Sequence, residues 1–239
     1  MTREKVSSPG VEREVVYSER RWKALTEKRC IARELMEALR RQGIHSIVHG
    51  SVARGDVKEE SDVDVFVPYV VPSFKVELAL ESTKYKILQK KIVQATPKHT
   101  PKAYLILDPQ EGIVVSFPLA KMTTRELEFY YFGGALDLSG VIRGERRPGV
   151  NKRLEIVIPT PRGHVEYSIL GRESEVARIL GISIDTVLER VRVLTRRDEV
   201  GRTGVFLERT LSPEASIEAE LEILKSKNPA LRRAVEERV

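Results

Sequence analysis

The stretch HGSVARGDVKEESDVDVFV, residues 49–67, constrains this chain more than any other part of it. It follows a short β-rich run at 44–49, breaks at Gly50, passes through a polar segment, and then alternates strictly from Asp62 to Val67. Two strands flanking a turn and a short helix are the reading that satisfies this order. On the second strand Asp62 and Asp64 lie two residues apart and therefore on one face, while Val63 and Val65 point the opposite way, into a core.

That arrangement has a chemical reading. Gly50 lets the backbone turn closely at a strand end, and Ser51 offers a hydroxyl and a helix-opening N–H to a phosphate oxygen. Two carboxylates on one face repel each other unless a cation lies between them, and Mg²⁺ prefers a few carboxylate oxygens completed by phosphate oxygens and water. Asp62 and Asp64 are therefore candidate catalytic and metal-binding residues for Mg²⁺ or Mn²⁺, with Gly50, Ser51 and Arg54 as candidate nucleotide-binding residues. The plainer alternative is a surface turn followed by an exposed acidic strand edge.

The rest of the chain supplies an α+β frame. Residues 18–42 place Trp22, Leu25, Ala32, Leu35, Met36 and Leu39 at three-and-four spacing, with Ser18 as N-cap and Gly43 as stop, which predicts an amphipathic helix. Residues 73–94 read as helix, although their first part alternates and is also compatible with a strand. The runs AYLIL and GIVVSFPL around DPQEG predict a β-hairpin, and residues 123–132 a short helix closed by Gly133 and Gly134. A basic, turn-rich stretch, residues 139–153, marks the expected boundary between domains at 1–140 and 141–239.

The segment around the Gly-Ser pair and the Asp-x-Asp strand resembles the polymerase β-like nucleotidyltransferases, in their archaeal-type form, over roughly residues 20–120. The resemblance implies a mixed sheet with helices and a Mg²⁺-dependent transfer of a nucleoside monophosphate from a nucleoside triphosphate to an acceptor hydroxyl. It also implies that Gly50 and Ser51 hold the triphosphate and that Asp62 and Asp64 hold the metal. In this family a third acidic residue comes from a later strand beside the first two. The strand GIVVSFPL is its expected place, and the residue aligned there is Ser116, a poor ligand for a hard cation and no base. Asp108 and Glu111 are the nearby acids, both at the hairpin turn. A second reading follows: a catalytically weak, nucleotide-sensing regulator that binds DNA or a protein.

In the second half, LEIVIPTPRGHVEYSIL predicts two short strands with a Pro-Arg-Gly turn, and ESEVARILGISIDTVLERVRVL has the layout of a helix-turn-helix with Gly181 at its turn. With TGVFLERTL as a wing strand, the segment resembles a small winged-helix domain, and a charged amphipathic tail follows from Ser216. The second helix turns Asp185 and Glu189 outward along with Arg192 and Arg196, a mixed set in which the acids oppose a phosphate backbone. Arg190, Arg197 and Arg202 complete the candidate nucleic-acid-binding set, against an alternative of packing only. The basic stretch IRGERRPGVNKR is a second candidate phosphate surface or a solvated loop.

Composition adds limits rather than function. With 41 Lys plus Arg against 35 Asp plus Glu, the net charge is +6 and the pI about 9.4, compatible with polyanion binding or with a solvated surface of mixed sign. A lone cysteine, Cys30, excludes an internal disulfide framework and fits a reducing, cytoplasmic setting. The polar start MTREKVSSPG and the lack of a long apolar run predict neither a signal peptide nor a membrane span. His49 reads as a strand end near the Gly-Ser pair, His45, His99 and His164 lack metal-ligand spacing, and the aromatic group Phe129–Phe132 reads as packing. Oligomeric state is left open by the sequence.

Overall fold

The computed structural model of the chain describes residues 6–7, 10–201 and 204–237. In chain order its elements begin with β1 (Arg13–Val16), α1 (Glu19–Arg41), β2 (Ile47–His49), α2 (Ser51–Arg54), β3 (Val63–Phe66), α3 (Ser73–Glu81) and β4 (Gln89–Gln94). They continue with β5 (Lys102–Ile106), β6 (Ile113–Pro118), α4 (Thr124–Phe132), β7 (Ala135–Asp137), α5 (Leu138–Ile142), β8 (Gly149–Val150), β9 (Glu155–Thr160) and β10 (Gly163–Ser168). The last are α6 (Glu173–Leu180), α7 (Ile184–Val200), β11 (Leu207–Leu211), α8 (Ile217–Lys227) and α9 (Pro229–Glu236).

These elements pack as two compact units, each discontinuous in sequence. The first comprises Met1–Arg29, His49–Ser61 and Thr124–Thr203; the second comprises Cys30–Val48, Asp62–Thr123 and Gly204–Val239. The division falls inside α1 and β2.

The second unit is a mixed sheet with strands in the order β11, β4, β5, β6, β3, β2. β3 and β6 run parallel, and the other neighbours are antiparallel. One face is mainly apolar: Val48, Val63, Val65, Ile92, Ala103, Leu105, Val115 and Phe117 are fully buried. The buried sides of the helices supply Leu35, Met36 and Leu39 from α1, Val76 and Ala79 from α3, Ile217 from α8 and Leu231 from α9. A helix with this stripe is stable mainly because tertiary packing removes the stripe from water. Lys90 also lies on the core face, and its ammonium is paired with Glu77 at 2.9 Å and donates to the Ala215 carbonyl at 2.9 Å. Burying such a charge without both partners would cost several kcal/mol, on the order of a broken buried pair.

Two expectations change here. Residues 73–94 divide into α3 and β4, helix first and strand second, because the alternating beginning places Val76, Ala79 and Leu80 inward at helical spacing. The expected wing strand takes a different partner. It forms β11, which adds to β4 in the second unit with Leu207 opposite Gln94 and Leu211 opposite Lys90, and its Arg209 pairs with Glu220 of α8. Leu211 is buried there, which is what fixes the strand to that edge.

The first unit holds an antiparallel sheet in the order β1, β10, β9, β8. Its core joins Leu154, Ile156, Tyr167 and Ile169 to Val176 and Ala177 of α6, Val187 of α7 and Phe132 of α4. The two helices of the expected helix-turn-helix are present. Gly181 adopts a left-handed φ of 65° at the turn, and the Ser183 hydroxyl accepts from the Asp185 N–H at 3.1 Å as N-cap. The stretch 139–153 is more ordered than its turn signals suggest, because the Asp137 side chain caps α5 by accepting from Gly140 N–H at 2.7 Å and β8 pairs with β9. Among the described residues no helix is long and apolar enough to cross a membrane.

Candidate functional site

The Gly-Ser loop belongs to the first unit. Gly50 has φ 74° and ψ −143°, a region of backbone space that only glycine enters at low cost, and no side chain caps the one-turn helix α2 that follows. The loop is fixed from its carbonyl side by arginines. Arg29 donates to the carbonyls of Val52 (3.2 Å) and Glu145 (2.5 Å), and Arg21 to those of Val57 (3.1 Å) and Asp56 (2.9 Å). Burial, with a small contribution from Arg146, pushes the Arg29 pKa down to about 10. Arg29 was not among the sequence candidates, although it interrupts the apolar stripe of α1 between Leu25 and Ala32, and an arginine in such a stripe needs a buried partner.

Arg54, expected to add positive charge for a nucleotide, is placed differently. It is buried, forms a two-pronged pair with Asp56 at 3.0 Å on each prong, and donates to the Gly133 carbonyl at 2.6 Å. Its donors hold the loop in shape. Ser51 is half-buried. The His49 ring packs edge-on against Tyr130 at 4.9 Å, which makes it an aromatic support for the loop.

The aspartates belong to the second unit. Asp64 lies on β3, and Asp62 immediately precedes the strand. Asp62 is exposed and Asp64 half-buried, on the sheet face opposite the apolar one. The register places Val114 of β6 beside Asp64, with Ser116 one pair further on, beside Phe66. Across β6, Ser116 faces Tyr104 of β5. Asp64, Ser116, Tyr104 and Lys102 thus share one face. Tyr104 has its pKa pushed up to about 12, first by burial and then by the negative charge of Asp64.

Ser116 is therefore not the residue beside the second aspartate. That position is Val114, which offers neither a metal ligand nor a base. The two acids of the hairpin turn are already engaged. Asp108 accepts from the N–H groups of Ile113 (2.6 Å) and Gln110 (3.3 Å), and Glu111 pairs with Lys91 at 2.7 Å. Asp108 is the nearer acid to the pair: a Cβ built on Gly112 would stand 3.6 Å from both its Oδ2 and the Oδ1 of Asp62. Among the described residues no three His, Cys, Asp or Glu side chains gather into a metal-ligating group. Two carboxylates, one exposed and one half-buried, still fit Mg²⁺, which commonly takes one or two carboxylates and completes its shell with substrate phosphates and water.

Of the candidate nucleic-acid residues, Arg192, Arg196 and Arg197 are exposed on α7, and Arg202 lies outside the described residues. Arg190 is partly covered, with its guanidinium 4.7 Å from the centre of the Phe129 ring.

Residues 30–116 match the family model described as a nucleotidyltransferase domain. No curated protein matches the chain. The matched segment contains Gly50, Ser51, Asp62 and Asp64, and it ends at Ser116 on β6.

Proposed function

We propose that the chain is a Mg²⁺- or Mn²⁺-dependent nucleotidyltransferase that moves a nucleoside monophosphate from a nucleoside triphosphate to an acceptor hydroxyl. The observation that carries this reading is the pair Asp62, immediately before β3, and Asp64, on it, inside the segment that matches the nucleotidyltransferase family. In this reading Gly50 and Ser51 receive the triphosphate, and Asp62 and Asp64 hold the cation. When bound, the cation lowers the pKa of the attacking hydroxyl and offsets charge on the leaving pyrophosphate. The acceptor oxygen attacks the α-phosphorus, the bond from that phosphorus to the bridging oxygen of the β-phosphate breaks, and pyrophosphate leaves. With Val114 beside Asp64, the hydroxyl proton goes to water or to the substrate itself rather than to a third carboxylate on β6.

The same Val114 favours one alternative, a catalytically weak protein that binds nucleotide and regulates through DNA or a protein partner. Incubation with labelled ATP, CTP, GTP or UTP and Mg²⁺ or Mn²⁺, read as pyrophosphate release or a labelled acceptor, separates the two. Turnover that disappears with chelator supports the transferase. Metal-dependent nucleotide binding with no turnover for any of the four supports the regulator, and no binding at all removes both.

A further inference from the structure

Among the described residues the guanidinium of Arg190 forms no ion pair, and only the charge of Glu189 acts favourably on it. Its Nε is wholly buried and has no hydrogen-bond partner. What surrounds it is aromatic: it stacks 4.7 Å from the centroid of Phe129 and 6.0 Å from that of Phe132, both on α4. A buried arginine is ordinarily paired, because leaving its donors unsatisfied costs about 1–3 kcal/mol or more for a charged group. Cation–π contact returns part of this cost, about 0.5–2 kcal/mol, and satisfies no N–H.

The frame around this cation is built rather than incidental. Glu128 of α4 accepts from the Ser183 N–H at 3.1 Å and from the Thr186 hydroxyl, which ties α4 to the first turn of α7. The acids of α7 that would repel an anion are neutralised: Arg125 pairs with Glu189 at 3.2 Å and with Asp185 at 3.7 Å. Burial first, and then the positive charge of Arg197 two turns further along α7, lowers the Arg190 pKa to about 10 against the opposing charge of Glu189. Phe129 is 38% exposed and Arg190 only partly covered, so both can be reached from solvent.

We infer that Arg190 and Phe129 form a binding site for a nucleotide unit, with the guanidinium taking a phosphate oxygen and the exposed ring stacking on the base. A planar fork of donors beside an aromatic ring suits phosphate next to a base, whereas an acidic peptide would use the charge and leave the ring unused. The unit could be a free nucleotide or part of a single strand, and the two sources are separable. The site does not depend on the transferase reading, since it lies in the first unit and uses neither Asp62 nor Asp64.

The test uses the full chain with fluorescein-labelled dodecamers of adenylate and thymidylate, and AMP, inorganic phosphate and polyglutamate as competitors. Wild-type protein should bind the labelled strands, with Arg190→Met and Phe129→Ala each weakening binding by about tenfold or more. Displacement by AMP at concentrations where phosphate fails assigns the site to free nucleotides, and displacement only by unlabelled strand assigns it to nucleic acid. Arg190→Met should melt no lower than wild type in the absence of ligand, because it removes an unpaired buried charge; Phe129→Ala guards against a variant that fails to fold. Asp64→Asn should bind the strands as wild type does, even if the transferase reading fails. Equal binding by wild type and both variants, or displacement by polyglutamate as effective as by strand, overturns the inference.

Discussion

The Gly50–Val57 loop and strand β3 are adjacent in sequence and are held by opposite means. The loop depends on guanidinium groups, because its carbonyls at Val52, Asp56 and Val57 find donors on Arg29 and Arg21 rather than in a ladder. The strand is held by pairing with β2 and β6 and by its fully buried Val63 and Val65. An irregular segment must satisfy each polar backbone group individually, whereas a strand does so by repetition. Part of the excess of arginine and lysine is thus spent on the backbone, which weakens any argument from net charge to polyanion binding. The strand carries Asp64 on its other face next to the fully buried Phe66, so that face combines packing with a carboxylate.

If the contrast is right, variants at the strand should lose chemistry and keep the fold, and variants at the loop should lose the fold first. The largest effect belongs to Asp64→Asn or Asp62→Asn. Pyrophosphate release should fall on the order of 10³-fold, as expected when several kcal/mol of metal-borne charge stabilisation is removed. The melting temperature should hold or rise slightly, because two like charges no longer face each other. A large drop in melting temperature would mean that the aspartates themselves support the fold.

Arg29→Met should act the other way. Losing donors to the Val52 and Glu145 carbonyls leaves buried acceptors unsatisfied, for a destabilisation of about 3 kcal/mol in a denaturant titration. Arg29→Lys should recover part of this, since an ammonium can reach one carbonyl but cannot fork to several. Gly50→Ala comes next, at about 1–3 kcal/mol, because φ 74° with ψ −143° strains any residue with a Cβ; nothing lies within 4 Å of that Cβ, so strain alone is measured. A neutral Gly50→Ala would show that the loop relaxes freely and that the arginines do not fix it.

The strand was the legible half of this contrast. Alternation from Asp62 to Val67 determines which side chains are buried, and the stripe on α1 determines its inward face, since both follow from a fixed period. The third-carboxylate position was not legible to one pair: Ser116 and Val114 are both small enough and apolar enough in context to occupy it, and only the parallel register with β3 decides for Val114. Sequence proximity to α7 suggests a wing at β11, yet its pairing with β4 spans a separation no local pattern encodes. Arg54 reads from the sequence as a nucleotide-binding cation for the same reason. Its partners Asp56 and Gly133 are one near and one remote, and the remote one was invisible.

The smallest effect tests whether charged anchoring extends through the first unit beyond the loop. On β10, Glu166 has its pKa lowered to about 2, chiefly by the hydrogen bond with His164 and then by Arg13, against the opposing effect of burial. His164 presents Nε2 to Glu166 at 3.1 Å and Nδ1 to the Tyr17 hydroxyl at 2.7 Å, so its ring joins the carboxylate to the tyrosine. A depressed carboxylate pKa stabilises the folded state above the ordinary value near 4.5 and loses that contribution as pH falls towards 2. Arg13 is largely exposed and solvent screens its share, so about 1 kcal/mol should disappear across that interval. Melting temperatures from pH 6 to 2 should therefore fall more steeply for wild type than for Glu166→Gln. Parallel curves would mean that β1 is held to β10 by its ladder alone, as β3 is held in the other unit, and the contrast would then be confined to the Gly-Ser loop.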